Sequence, residues 1–130
     1  MAHHAAVSVR ERGYAVVPHL FSSHDAHRIA QVAMRIASSE LAANPNEPFT
    51  VDRDAHGHPA PRKIDYPFLK AAAFRRFVLD HRLQHVVNAA LGQRGYLMRD
   101  QVFCKPPRFG TAKPYHQENA SLHYQPADNM

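Results

Sequence analysis

The residues most suited to chemistry in this 130-residue sequence are His116 and Glu118, within Tyr115-His116-Gln117-Glu118-Asn119. In an extended segment, residues i and i+2 project from the same face, so the imidazole and the carboxylate converge while Gln117 points away. A His-x-carboxylate pair supplies two corners of the facial triad that holds non-haem Fe(II) and leaves positions open for oxygen and a cosubstrate. With 11 histidines and 11 acidic residues in the chain, about one such pair is expected by chance. The spacing alone therefore does not separate a metal site from a strand histidine beside a solvated glutamate.

Other histidines are weaker candidates. His123 lies five residues beyond Glu118, about 16 Å along an extended strand and on the opposite face. His56 and His58, in His-Gly-His, fall in a Pro-rich stretch and form a His-x-His pair of their own. His81 and His85 share a helix face at i and i+4, a spacing that zinc sites use, without an evident third ligand. Cys104, the single cysteine, reads as a buried, inert thiol and excludes an internal disulfide framework.

The elements that must position these groups follow from the hydrophobic pattern. Gly13–Val17 (GYAVV), closed by Pro18, reads as a first strand, and His3 and His4 sit at a terminus expected to fray. Ser22, Ser23 and Asp25 open a helix whose apolar residues Ile29, Val32, Ala33 and Ile36 recur up to about Leu41. Residues 44–61 carry four prolines and a glycine and read as a loop. A helical region runs from Pro67 through Phe77. Asp80 recaps a further helix that carries Leu83, Val86, Val87 and Leu91 and stops at Gly92. Tyr96–Lys105 reads as a strand ended by Pro106 and Pro107, and His116–Tyr124 as another extended segment.

Composition narrows the function classes. With 45% hydrophobic and 21% charged residues, the chain is globular, and wholesale disorder is excluded. No run approaches the ~20 apolar residues of a membrane helix, so a soluble, cytoplasmic protein without membrane partners is expected. The net charge is +5, but its cations are scattered. Neither a basic stripe nor a nucleic-acid-binding motif is present, so nucleic acid is not an expected partner.

The stretch Asp100–Asp128 (DQVFCKPPRFGTAKPYHQENASLHYQPAD) resembles the phytanoyl-CoA dioxygenase family of Fe(II)- and 2-oxoglutarate-dependent oxygenases. In that family a strand ending in Lys-Pro-Pro leads through a glycine-containing loop into an aromatic or Leu residue followed by His-Gln-Asp-Asn. The N-terminal part is similar as well: a Gly-Tyr-Val-Val-Pro-like opening, a Ser/Asp-capped helix, then a helical segment before Leu-Gly. The resemblance spans nearly the whole chain and implies that His116 and Glu118 are iron ligands. Glu118 stands where the family more often has aspartate, and its carboxylate still offers the hard oxygen that Fe(II) accepts. Its presence argues against a halogenase relative, in which the carboxylate is absent. The resemblance further implies that Lys63 and Gln101 contact 2-oxoglutarate, a lysine ammonium being a point-charge partner for a carboxylate.

The implied fold is α+β, with N-terminal helices packed on the first strands of a double-stranded β-helix, or jelly roll, whose barrel is incomplete here. It forms one partial domain. Residues 1–95 hold the first strand, helices and loop, and residues 96–130 hold the first core strands with the His-x-Glu motif. The implied activity is hydroxylation of a small organic substrate coupled to oxidative decarboxylation of 2-oxoglutarate to succinate and CO2. Family members complete the triad with a distal histidine and clamp 2-oxoglutarate with an arginine, and neither is found by residue 130. The expectation is therefore a truncated form that is inactive alone; a competing reading has a second chain or a homo-oligomer supply the missing half by strand exchange. The alternative is a non-catalytic binding or interaction domain derived from the same fold.

Overall fold

The structure, a computed structural model, describes residues 1–118. Its longest helix is α2 (Ser23–Ala43), and the signals read from the sequence account for where it begins. Ser22 is the N-cap: its hydroxyl accepts the Asp25 N–H at 3.1 Å and donates to Asp25 Oδ2 at 2.8 Å. The Ser22 hydrogen bond, as the largest influence, holds the Asp25 carboxyl below its ordinary value. Asp80 likewise caps α5 (His81–Leu91) by accepting the Arg82 N–H at 2.9 Å, and Gly92 ends that helix at φ +70°. Only glycine adopts that left-handed conformation without steric cost.

The helical region expected from Pro67 to Phe77 is two helices, α3 (Pro67–Lys70) and α4 (Ala72–Val78), divided by an extended Ala71. Arg75 Nη1 reaches back to the carbonyls of Phe68 (3.1 Å) and Leu69 (3.4 Å), satisfying acceptors that the break leaves without helical partners. The first turn of α3 takes its side-chain cap from a distant residue, with Phe68 N–H donating to Asp100 Oδ2 at 2.6 Å.

The N-terminus corrects the expectation. Ala2–Arg12 form helix α1, closed by Gly13 at φ +80°, whose N–H donates to Val9 O at 2.9 Å. Ala2, Ala5 and Ala6 are buried, and α1 packs against α5. Small side chains on one face let the two helices approach closely, and that docking orders a terminus with little apolar bulk. Gly13–Val17 is not a strand. Tyr14 and Val16 are 61% and 76% exposed, and β-propensity without a pairing partner does not make a sheet.

A hairpin occupies part of the expected loop: β1 (Val51–Arg53) pairs antiparallel with β2 (Pro59–Pro61). Asp54 builds its turn, Oδ1 accepting the N–H groups of His56 (2.8 Å) and His58 (2.9 Å). The prolines of β2 are tolerated because each strand of a two-stranded sheet is an edge. A second antiparallel pair joins β3 (Lys63–Asp65) to β4 (Gln101–Phe103), with Lys63 opposite Phe103 and Asp65 opposite Gln101. The strand expected over Tyr96–Lys105 shrinks to these three residues. Beyond Asp65 the facing strand turns at Tyr66 (φ +54°) into α3; the Tyr66 N–H still donates to the Asp100 carbonyl at 3.0 Å, and residues 96–99 have no strand opposite them.

The core lies between α2, α4 and one face of the β3–β4 pair. Ala33, Ala37, Ile64 and Phe74 are buried, with Ile29, Val32, Ile36, Val102 and Cys104 packed around them. The chain is thus a mixture of helices and short strands, as the α+β reading expects. Among the described residues the strands form two separate pairs and no closed barrel. None of the described helices is long and apolar enough to cross a membrane. His116 and Glu118 lie outside any strand, and the remainder of the expected extended segment, with His123, falls outside the described residues.

Candidate metal and cosubstrate site

Strand alternation sorts the side chains of β3 and β4. Ile64 and Val102 face the helices, so Lys63, Asp65, Gln101 and Phe103 occupy the opposite, open face. Two sequence candidates, 38 positions apart, are thereby brought to one carboxylate. Lys63 Nζ donates to Asp65 at 3.1 Å (Oδ1) and 2.8 Å (Oδ2), and Gln101 Nε2 donates to Asp65 Oδ1. Arg99 Nη2 stands 3.7 Å from the same oxygen, its guanidinium 5.6 Å from the centre of the Tyr66 ring. Asp65 is the residue the sequence reading missed. The signal was available, because Lys63-Ile64-Asp65 has the same i, i+2 spacing as His116-Gln117-Glu118.

Burial is the largest single influence on the Asp65 carboxyl and opposes its ionisation. The hydrogen bonds from Lys63 and Gln101, with the charges of Lys63 and Arg99, outweigh it and lower the pKa below 3.8. A carboxyl lowered on folding contributes stability that is complete above its ordinary value and is lost as pH falls through the lowered one. The difference in urea midpoint between wild type and Asp65→Asn should therefore be largest above about pH 4 and shrink steadily below it. A difference independent of pH from 2 to 6 would refute the ionic role.

The segment leading to the motif is anchored by Asp52, the one buried polar or charged residue among those described, at 8% exposure. Its carboxylate accepts the Thr111 N–H (3.3 Å to each oxygen) and the Thr111 hydroxyl. Gly110 permits this approach: it sits at φ +127°, and a Cβ there would lie 3.4 Å from Asp52 Oδ2. Beyond the anchor the chain returns over the open face, where Lys113 Nζ lies 4.9 Å from the Phe103 ring centre.

His116 and Glu118 do converge, though without a strand. His116 Nδ1 lies 2.9 Å from Pro114 O, and Nε2 lies 3.4 Å from Glu118 Oε1. A carbonyl only accepts, so Nδ1 carries the proton and the lone pair of the neutral ring resides on Nε2, facing Glu118. The Pro114 carbonyl, as the largest cause, and then the Glu118 carboxylate raise the His116 pKa. Both side chains are exposed. The imidazole nitrogen and carboxylate oxygen, 3.4 Å apart, are donor types that a divalent ion accepts. Among the described residues no group of three or more His, Cys, Asp or Glu gathers around a common point.

Among the described residues the other histidines do not join this pair. His58 Nδ1 is held by Asp54 Oδ2 at 3.0 Å at the hairpin tip, with the His56 ring 6.0 Å away. His81 and His85 lie along α5. Cys104 is half-buried, and burial, with a smaller effect of the Glu40 charge, pushes its thiol pKa up, away from a reactive thiolate.

Residues 9–130 match the family model for phytanoyl-CoA dioxygenase (PhyH). No curated protein and no solved structure matches the chain.

Proposed function

The chain belongs to the phytanoyl-CoA dioxygenase family, and on that premise we propose that it is an Fe(II)- and 2-oxoglutarate-dependent dioxygenase acting on a small organic substrate. The observation that carries the reading is the convergence of His116 Nε2 and Glu118 Oε1, with the imidazole tautomer set by the Pro114 carbonyl. His116 and Glu118 would hold the metal, through the imidazole Nε2 and a carboxylate oxygen. Bound Fe(II) supplies the oxygen chemistry, in which decarboxylation of 2-oxoglutarate accompanies hydroxylation of the substrate.

The remaining residues bind and orient. Lys63 and Gln101, diagonal to each other on the open face of the β3–β4 pair and joined through Asp65, meet a carboxylate of 2-oxoglutarate, Lys63 through charge and Gln101 through its amide. The Asp52–Thr111 contact holds the segment that carries the metal ligands against the hairpin. In this reading the β3–β4 pair belongs to the wall of a jelly roll, and its open face is the interior side.

Anaerobic Fe(II) titration in the presence of 2-oxoglutarate tests the proposal. Wild-type chain should develop the weak visible charge-transfer band of a chelated metal–cosubstrate complex, and His116→Ala and Glu118→Ala should each abolish it. A folded wild-type sample without the band would refute the reading and favour a non-catalytic binding domain.

A further inference from the structure

We propose that Asp65 is a positioning residue for the cosubstrate: its carboxylate holds the Lys63 ammonium and the Gln101 amide in fixed places, so that together they present a preset pair of donors to one carboxylate of 2-oxoglutarate. The inference rests on the reading of Lys63 and Gln101 as cosubstrate contacts, and it adds a residue with no contact to the ligand.

The geometry carries it. Asp65 sits directly across the β3–β4 ladder from Gln101 and two residues along its own strand from Lys63, so all three share one face. A single carboxylate therefore ties together two side chains that arrive from opposite strands. Lys63 and Asp65 are 15% and 23% exposed, and this partial burial strengthens their pairing relative to one in open water.

A lysine side chain loses much rotamer freedom when it binds a ligand. Here Asp65 restricts it beforehand, which lowers the entropic cost of binding. Lys63 keeps donor capacity beyond the carboxylate, as an ammonium has three N–H groups. Asp65 also fixes which end of the Gln101 amide points inward. Its nitrogen faces the carboxylate, leaving one N–H for a ligand. Asp65 does not neutralise the face toward a dianion, because Arg99 adds a second positive charge beside it.

A purely structural role, pinning β3 to β4, is the competing account, and non-additivity separates the two. The full chain, 15N-labelled and loaded with Zn(II) as a diamagnetic substitute, is titrated with 2-oxoglutarate while the Gln101 side-chain resonances and the backbone spectrum are followed. Supporting groups that orient ligand-contacting residues are worth about 10-fold to 100-fold. Asp65→Asn should weaken 2-oxoglutarate binding by about 10-fold and leave Zn(II) affinity unchanged. In a Lys63→Met, Gln101→Leu background the same substitution should cause no further loss.

If Asp65→Asn does not fold, Asp65→Glu retains the charge but displaces the carboxylate by one methylene, and it should weaken binding in the same background-dependent way. Binding as tight as wild type in a folded Asp65 variant would overturn the inference and leave the cosubstrate reading standing. So would an equal loss in both backgrounds. Wild-type chain that binds no 2-oxoglutarate would overturn both.

Discussion

Ile64→Ala is expected to destabilise the chain by about 3–5 kcal/mol, in the upper part of the range for buried aliphatic truncations. Ile64 is 0% exposed, the most deeply buried large side chain of the core. It projects from the middle of β3 onto Ala33, Ala37 and Phe74, with Val102 beside it. Two of those neighbours are alanines, too short to close over the space that three lost carbons would leave, so the cavity penalty adds to the lost transfer energy. Single domains are stable by only about 5–15 kcal/mol in total, so this one change consumes a large share. Urea denaturation measures it. Ile64→Val should cost about 1 kcal/mol, and Leu69→Ala, at a site 73% exposed, should stay within about 0.5 kcal/mol. The consequence reaches the site, because Ile64 separates Lys63 from Asp65 and its burial is what directs both onto the open face. An Ile64→Ala protein as stable as wild type would show that β3 does not pack on α2 and α4.

Asp52→Ala is expected to lower stability by about 1–3 kcal/mol, the cost of leaving hydrogen-bonding groups without a buried partner, and to weaken metal binding at His116 and Glu118 by about 10-fold, as loss of an orienting group does. Asp52 touches neither ligand. It acts through Thr111, whose N–H and hydroxyl it accepts, and so determines where the chain goes between Pro107 and His116. Thr111→Val removes only the hydroxyl and should cost less on both counts, because the backbone N–H still reaches the carboxylate. Mn(II) binding followed by electron paramagnetic resonance reads the affinity, and limited tryptic proteolysis at Arg108 reads the release of the segment. Unchanged Mn(II) affinity together with unchanged proteolysis would contradict the anchoring role.

Those two residues illustrate which parts of the molecule were legible beforehand. Helices α2 and α5 were readable at both sequence and boundary level, because a cap acts on N–H groups two or three residues away: Ser22 on Asp25, Asp80 on Arg82, and Gly92 through its own φ. The His-x-Glu pair was readable because two residues at i and i+2 can converge whether or not a strand forms. Both residues lie outside any described strand, yet Nε2 and Oε1 still face each other at 3.4 Å.

The misreadings concern partners remote in sequence. GYAVV has strand residues but no strand to pair with, and Ala2, Ala5 and Ala6 carry too little apolar signal to announce a helix until α5 packs against them. Asp52 falls within the stretch read as a loop, and its donors come from Thr111, 59 residues later. Asp65 went unread because one of its two side-chain partners, Gln101, comes from the facing strand 36 residues later.

The sequence by itself determined the family, the two best-capped helices and the residue types able to hold a metal ion, since these depend on identities and on contacts within a turn or two. Only the tertiary structure decided which strands pair, which face of β3–β4 stays open, and which carboxylate gathers Lys63 and Gln101. Those outcomes follow from burying Ile64 and Val102 against the helices, which sends every alternate side chain of the two strands to the opposite side.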